Sequence, residues 1–165
     1  MRHVRAIAPV ALIALALAVL APASARADAT LFLGANTSPA NRLARGAAIG
    51  AGLLVVGFEF EYCDTTDDAA AAAPALKTGM GNVLLQSPVA FAGIQPYVTV
   101  GGGVYHEERG TAVDNTGFGV NAGGGLKIAL AGPIRLRVDY RVLTLKNGAL
   151  TTPAHRVYAG LNLKF

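Results

Sequence analysis

The sequence is poor in several features whose scarcity limits what the chain can be. Its 165 residues include one cysteine, Cys63, and no tryptophan. A single cysteine excludes an internal disulfide framework, because each bridge needs two. Beyond about residue 20, the sequence has no apolar run of the roughly 20 residues that a membrane-spanning helix requires. Yet 53% of the residues are hydrophobic. This combination predicts either a soluble sandwich or barrel, or a membrane barrel.

The first 27 residues have the three parts of a secretory signal peptide. A basic start precedes an apolar run over roughly residues 6–20, and Ala25-Arg26-Ala27 matches the small-residue cleavage pattern. The apolar run is shorter than a comfortable bilayer span, which argues against a retained anchor. We therefore expect cleavage before Asp28, leaving residues 28–165 as a single domain.

The charge balance does not indicate a nucleic-acid partner. The chain has 14 Lys and Arg against 10 Asp and Glu. Three of the basic residues, Arg2, Arg5 and Arg26, belong to the predicted signal peptide, so 11 basic and 10 acidic residues remain, a net charge of +1. Nucleic-acid binding needs a clustered positive surface. We accordingly expect no nucleic-acid partner, and no cofactor.

Turn signals divide the rest of the chain into eight segments in which apolar and polar residues alternate. Such alternation places successive side chains on opposite faces of a strand. The predicted strands cover residues 29–35, 45–52, 55–63, 77–86, 94–106, 116–130, 134–145 and 156–165. Because no helical segment separates them, the pattern predicts an all-β, eight-stranded, antiparallel up-and-down barrel.

The predicted connections alternate in length. Those after strands two, four and six are short, whereas the others are long and polar, at 36–44, 64–76, 106–114 and 146–153. Transmembrane barrels show this asymmetry, with short periplasmic turns and longer extracellular loops. An even number of strands also places both termini at the periplasmic side. The pattern favours a transmembrane barrel.

The polar faces of three strands carry the candidate functional side chains. In a transmembrane barrel the apolar face meets lipid and the polar face lines the lumen. Charges in a narrow, dry lumen must pair, since unpaired burial costs several kcal/mol. Eight strands leave an interior just wide enough for side chains to fill, which favours a structural polar core over the gate of a small pore. The expected network comprises Glu59, Glu61, Arg135, Arg137, Asp139 and Arg141, with Lys127 and Asn121 as outlying members.

Periodicity alone does not decide which face meets water. A soluble barrel would bury the apolar face and expose the charges. The final segment, RVYAGLNLKF (156–165), favours the membrane arrangement, because its apolar face runs up to Phe165. An exposed aromatic at this position is a liability in water, whereas it suits the aromatic girdle at a membrane interface.

These features together resemble the small outer-membrane barrels of the OmpA/OmpX type. The resemblance rests on the order of the signal peptide, the eight alternating strands, the segment QPYVTVGGGVY (95–105) and the terminal LNLKF. It implies a place in the outer membrane of a Gram-negative-type bacterium, in contact with outer-membrane lipid. It also implies that Leu161, Leu163 and Phe165 form the signal that the barrel assembly machinery reads.

Two further patterns are weaker candidates for chemistry. His106, Glu107, Glu108 and Asp114 cluster in one predicted loop, but their spacing matches no cation-ligand pattern, and a solvated loop is favoured. Cys63 is expected to face the interior as a small filler.

Catalysis has little support from the sequence. A serine hydrolase brings Ser, His and an acid together, and no strand pairs Ser38 or Ser87 with His106 or His155 in an obvious way. We therefore expect a non-enzymatic barrel with a structural or surface-interaction role, long extracellular loops and a plugged polar interior. The alternatives are a narrow porin-like channel for small solutes or ions and, third, a periplasmic lipid-binding barrel.

Overall fold

The computed structural model describes residues 26–53 and 55–165. Within these ranges, no helix has the length and apolar character needed to cross a membrane. Apart from Arg26 and Ala27, the predicted signal peptide lies outside the described residues, and its removal stays a prediction.

Eight strands form one closed barrel. They are β1 (Arg26–Asn36), β2 (Arg42–Leu53), β3 (Val56–Thr65), β4 (Ala75–Gln86), β5 (Ile94–Arg109), β6 (Val113–Ala131), β7 (Ile134–Leu145) and β8 (Ala154–Lys164). Each strand pairs antiparallel with its neighbours in sequence, and β8 pairs with β1. The predicted fold class, an eight-stranded antiparallel up-and-down barrel, is confirmed.

The pairing of β1 with β8 closes the sheet on itself. The register is continuous from Asp28 to Asn36 of β1. Beyond it, Ala27 and Phe165 exchange two backbone hydrogen bonds, each 2.9 Å from nitrogen to oxygen. This closure satisfies the N–H and C=O groups that the first and last strands of an open sheet would leave unpaired.

The wall of the barrel is apolar on the outside and polar on the inside. Leu31 and Phe58 on the outer face are 71% and 63% exposed, whereas Arg137, Arg141 and Arg156 on the inner face are fully buried. The faces predicted for β3, β6 and β7 agree with this arrangement. Every strand contributes at least one exposed large apolar side chain to the outer wall: Leu31, Ile49, Phe58, Val83, Val98, Phe118, Val138 and Leu161.

The barrel has two ends, which we name by what lies there. The terminal end holds Arg26 and Phe165, and the opposite end is the loop end. The connections at the loop end are residues 37–41, 66–74, 110–112 and 146–153. Those at the terminal end are the connection between β2 and β3 and residues 87–93 and 132–133.

The predicted loop at 106–114 is wrong in extent. β5 continues to Arg109 and β6 begins at Val113, so only a short turn at 110–112 joins them. Polar cross-strand contacts sustain this hairpin, as between His106 Nδ1 and Thr116 Oγ1 at 2.9 Å. Because the connection at 87–93 is longer than this turn, the strict alternation of long and short connections does not hold.

Candidate functional site

Ion pairs fill the middle of the lumen. None of the six side chains involved is more than 5% exposed. Three guanidinium groups face three carboxylates, so the cluster is neutral as a whole. We call it the plug, and it consists of Arg137, Arg141, Arg156, Glu59, Glu61 and Asp139.

Arg137 lies on the side of the plug nearer the terminal end. Its guanidinium pairs with both oxygens of Glu59, with 3.2 Å between Nη2 and Oε1, and its Nη2 lies 3.1 Å from Asp139 Oδ2. The Tyr97 hydroxyl accepts a hydrogen bond from Arg137 Nε at 2.7 Å and donates one to Asp139. Such two-pronged contact between a guanidinium and a carboxylate fixes orientation as well as charge.

Arg141 touches all three carboxylates of the plug. Its Nη2 lies 2.9 Å from Glu59 Oε1, its Nη1 lies 3.1 Å from Glu61 Oε2, and its Nε lies 3.0 Å from Asp139 Oδ1. The contact with Glu61 is an ion pair without hydrogen-bond geometry, since Nη1 has no hydrogen-bond partner. Arg141 therefore links the two glutamates of β3 into one network.

Arg156 extends the network toward the loop end. Its Nη1 lies 3.1 Å from Glu61 Oε1, and its other nitrogens donate to Asn36 Oδ1 and to Thr78 Oγ1. The Tyr158 hydroxyl donates to the second oxygen of Glu61 at 3.1 Å. Each ionic member is buried and shares its partners with other members, so losing one member would leave the remaining charges incompletely paired.

The structure brings five of the eight predicted network residues into the plug and leaves three outside it. Asn121 and Lys127, predicted as outlying members, lie outside the plug. Arg135, predicted as a full member, lies closer to the terminal end, because it is one inward-facing position before Arg137 on β7 and reaches no plug carboxylate there. The three make other contacts: Asn121 with Asn82 at 2.8 Å, Lys127 with Asp28 at 2.6 Å, and Arg135 with Gln95 at 3.0 Å.

Sequence reasoning missed three side chains of the network. Alternation along β8 already places Arg156 and Tyr158 on its polar face, so their inward direction was readable from the sequence. Tyr97 shares the inward direction of Gln95 and Thr99 on β5. What the sequence did not show is that these side chains lie at the same depth as the carboxylates of β3.

The loop end of the lumen is closed by apolar packing and by a carboxylate that holds a loop. Glu107 accepts hydrogen bonds from the backbone N–H groups of Leu150 at 2.9 Å and Thr151 at 2.8 Å. Glu107 was predicted in a solvated loop, and this is wrong, because it lies within β5 with its side chain inward and fully buried. An apolar layer lies beside Glu107 in this part of the lumen. It consists of Leu76, Met80, Tyr105, Leu143, Leu145 and Ala154.

The rest of the predicted cluster around His106 stays at the surface. The two ring nitrogens of His106 lie 3.8 Å from Asp114 and 3.9 Å from Glu108. Glu107 points away from them into the lumen. In the part of the chain that the structure describes, no three His, Cys, Asp or Glu side chains converge where a metal ion could be held.

The serines and histidines make separate contacts. His155 Nδ1 lies 2.7 Å from the Tyr140 hydroxyl, His106 bonds to Thr116, and Ser87 donates to the carbonyl of Val89. Among residues 26–53 and 55–165, no hydrogen bond joins a serine side chain to a histidine. The absence of enzyme activity stays a prediction.

The three residues of the predicted assembly signal lie on the outer wall at or near the terminal end. Leu161, Leu163 and Phe165 are 60%, 46% and 69% exposed. Their side chains share one face of the last segment, as the alternation predicts. Recognition by the assembly machinery stays a prediction.

Comparison with known proteins identifies the fold. No protein-family model matches the sequence, and no curated protein matches it. The N-terminal β-barrel domain of Pseudomonas aeruginosa OprF matches with a TM-score of 0.68 at 13% identity, over 85% of this chain and 97% of that one. Neisserial surface protein A matches with a TM-score of 0.63 at 15% identity, over 86% and 96%.

A third solved structure is more distant. The attachment invasion locus protein Ail of Yersinia pestis, solved with the heparin analogue sucrose octasulfate, matches with a TM-score of 0.50 at 7% identity, over 86% of this chain and 99% of that one. At such identities the likeness establishes the fold alone. As a statement about the fold, the resemblance to small eight-stranded outer-membrane barrels is confirmed.

Proposed function

We propose that this protein is an integral outer-membrane barrel with a structural or surface-interaction role. The observation that carries the proposal is the polarity of the wall, with apolar side chains exposed on all eight strands and charged side chains buried inside. Burying apolar surface gains about 25 cal/mol per Å², so the outer wall favours lipid over water. A closed barrel also satisfies its backbone hydrogen bonds within a bilayer.

The contents of the lumen support a structural role over transport. The plug occupies the middle of the lumen, and the apolar layer with Leu76 and Met80 lies between the plug and the loop end. Ions would have to break paired charges and then cross an apolar layer. A periplasmic lipid-binding barrel has less support, because the plug fills the place where an apolar ligand would lie.

A narrow channel is the second candidate, since the cavity at the terminal end reaches Glu59 in the plug. Only the plug and the apolar layer on its loop-end side then separate the cavity from the loop end of the barrel. The test is conductance of the purified protein in planar bilayers, compared with an Arg137→Ala variant. A steady wild-type conductance that this substitution changes would favour the channel, and a silent wild-type protein would favour the structural role.

The loop end supports contact with other surfaces. β6 pairs with β7 only from Gly119 onward, whereas β5 stays paired with β4 up to Glu108, so the β5–β6 hairpin extends beyond its neighbour on the β7 side alone. Charged side chains lie near its tip, where Lys77 Nζ is 3.7 Å from Glu108 Oε2. We propose this hairpin as the region through which the protein meets partners outside the cell.

We also propose that Leu161, Leu163 and Phe165 carry the assembly signal. Their exposure on one face leaves them available to the assembly machinery during insertion. A Phe165→Ala substitution should lower the amount of protein in the outer membrane several-fold. Phe118→Ala, which removes an exposed aromatic from the same wall elsewhere, is the matched control, and an equal loss in both would contradict a specific signal.

The first experiment is migration of the membrane-extracted protein on an SDS gel, with and without boiling. A closed barrel lacks free edges and resists SDS until it is heated. We expect a heat-dependent shift, with the protein in the outer-membrane fraction. A protein that is soluble without detergent and shows no shift would contradict the proposal.

A further inference from the structure

A cavity of about 280 Å³ lies in the lumen between the plug and the terminal end. Its floor includes Glu59, which Arg137 and Arg141 already neutralise. Most of its lining side chains face inward from the strands, so it opens along the barrel axis. Its polar wall includes Asp28, Gln95, Lys127, Arg135 and Lys164, and we call this group the vestibule.

The strand register places the cations of the vestibule side by side. Lys127, Arg135 and Lys164 come from the adjacent strands β6, β7 and β8. Lys164 is directly opposite Asp28 across the β8–β1 pair, and Gln95 is directly opposite Lys127 across the β5–β6 pair. A continuous basic arc therefore covers one side of the cavity.

The positive charges in this arc outnumber the carboxylates. Lys127 forms an ion pair with Asp28, with 2.6 Å between Nζ and Oδ2, and its side chain is 3% exposed. Arg135 donates to the neutral side chain of Gln95 at 3.0 Å. Among the described residues, neither Arg135 nor Lys164 has a carboxylate within ion-pair distance. Three cations thus face one available carboxylate, a surplus of two positive charges.

The opposite side of the cavity is lined by glycines that packing does not require. A Cβ added at Gly57 would meet its nearest atom, Leu84 Cβ, at 3.6 Å, and one at Gly52 would meet Gln86 Nε2 at 3.4 Å. These are ordinary contact distances. Side chains would fit at both positions, so the space in front of the basic arc is available to a ligand.

We propose that the vestibule binds a phosphate-bearing anion with at least two negative charges. A guanidinium that keeps free N–H groups and two ammonium groups match phosphate oxygens in charge and in donor type. A doubly charged anion cancels the surplus and removes the cost of holding cations near one another in a confined space. Arg26 also lines the cavity, but it precedes the predicted cleavage position, and the surplus does not depend on it.

The test uses the complete barrel, refolded in a zwitterionic detergent at low ionic strength and titrated with inorganic pyrophosphate in a calorimeter. We expect one site per barrel, with affinity that falls as salt is added. Arg135→Gln and Lys164→Gln should each weaken binding roughly tenfold, since each removes a charged hydrogen bond. Arg45→Gln and Lys77→Gln, cations at the loop end, are the matched controls and should bind like the parent.

A second variant tests the cavity independently of charge. Gly57→Val keeps every charge but places a side chain in front of the basic arc, so it should abolish binding. The heat-dependent gel shift reports whether each variant is folded, and only folded variants are compared. The same titration with short-chain phosphatidylglycerol in mixed micelles distinguishes a lipid headgroup from a free anion as the source of the phosphate.

Several results would overturn the proposal. One is a folded parent barrel that binds neither pyrophosphate nor phosphatidylglycerol. Another is equal weakening by the loop-end controls, which would mean that net charge attracts the anion without a site. Binding that survives Gly57→Val unchanged would place the anion outside the cavity.

Discussion

The plug and the vestibule line the same lumen but treat charge in opposite ways. In the plug, three guanidinium groups and three carboxylates neutralise one another, and none is more than 5% exposed. In the vestibule, three cations face one carboxylate around a cavity. The comparison teaches that charge balance in this barrel follows packing, since pairing is strict where side chains fill the space and relaxed where space remains.

Neighbouring side chains account for the difference in space. Around the plug, the rings of Tyr97 and Tyr158 occupy the lumen, and their hydroxyl groups donate hydrogen bonds to carboxylates. Around the vestibule, Gly52 and Gly57 leave the lumen open. The opening leaves room beside the cations of the vestibule, whereas side chains fill the space around the plug.

The largest expected effect comes from breaking the plug. Arg137→Ala should lower the free energy of unfolding by about 3–5 kcal/mol, because the Glu59 and Asp139 carboxylates lose a buried partner. Urea unfolding in phospholipid vesicles, followed by far-UV circular dichroism, measures the change. Arg45→Ala removes an exposed ion pair with Asp64 and should cost at most about 1 kcal/mol. Similar losses in the two variants would contradict the contrast between buried and exposed charge.

A smaller effect is expected from removing one neutral donor in the plug. Tyr97→Phe deletes the hydroxyl between Arg137 Nε and Asp139 while keeping the ring, so it should cost about 1–3 kcal/mol. The matched control is Tyr62→Phe, because Tyr62 is 47% exposed on the outer wall. The same unfolding titration applies, and equal stabilities for the two variants would show that the Tyr97 hydroxyl does not hold the network.

The smallest effect should have the opposite sign. Gln95→Glu puts a carboxylate where Arg135 already donates and beside Lys127. The cations of the vestibule thereby gain a second negatively charged partner. The free energy of unfolding should rise by about 0.2–1 kcal/mol, and added salt should diminish the gain. In an Arg135→Gln background most of the gain should disappear. A gain of the same size in both backgrounds would mean that Arg135 is not the partner.

The strand number and the inward faces were readable from the sequence because alternation is a local property. Alternation along β3 and β7 places Glu59, Arg137 and Asp139 on the polar faces of their strands, and the apolar final segment then indicated that these faces line the lumen. The pairing partners were not readable. Which carboxylate meets which guanidinium across the lumen depends on the stagger between strands, so Arg135 was predicted to join a network that it does not reach.

The extent of the β5–β6 hairpin was missed for a different reason. Residues such as His106, Glu108 and Asp114 are polar on both sides of the strand, as in a loop, and no apolar face marks them as paired. Their cross-strand contacts form only once the hairpin is closed. The same cause concealed Glu107, whose inward direction depends on β5 continuing that far.

The position of Cys63 has a practical consequence. It is the single cysteine of the chain, fully buried in a small cluster with Phe32, Ala44 and Tyr158. The rings of Phe32 and Tyr158 stack there with their centroids 4.0 Å apart. A thiol reagent therefore reaches Cys63 only when this part of the lumen opens. The rate of labelling at Cys63 thus reports how often the barrel opens, without an engineered cysteine.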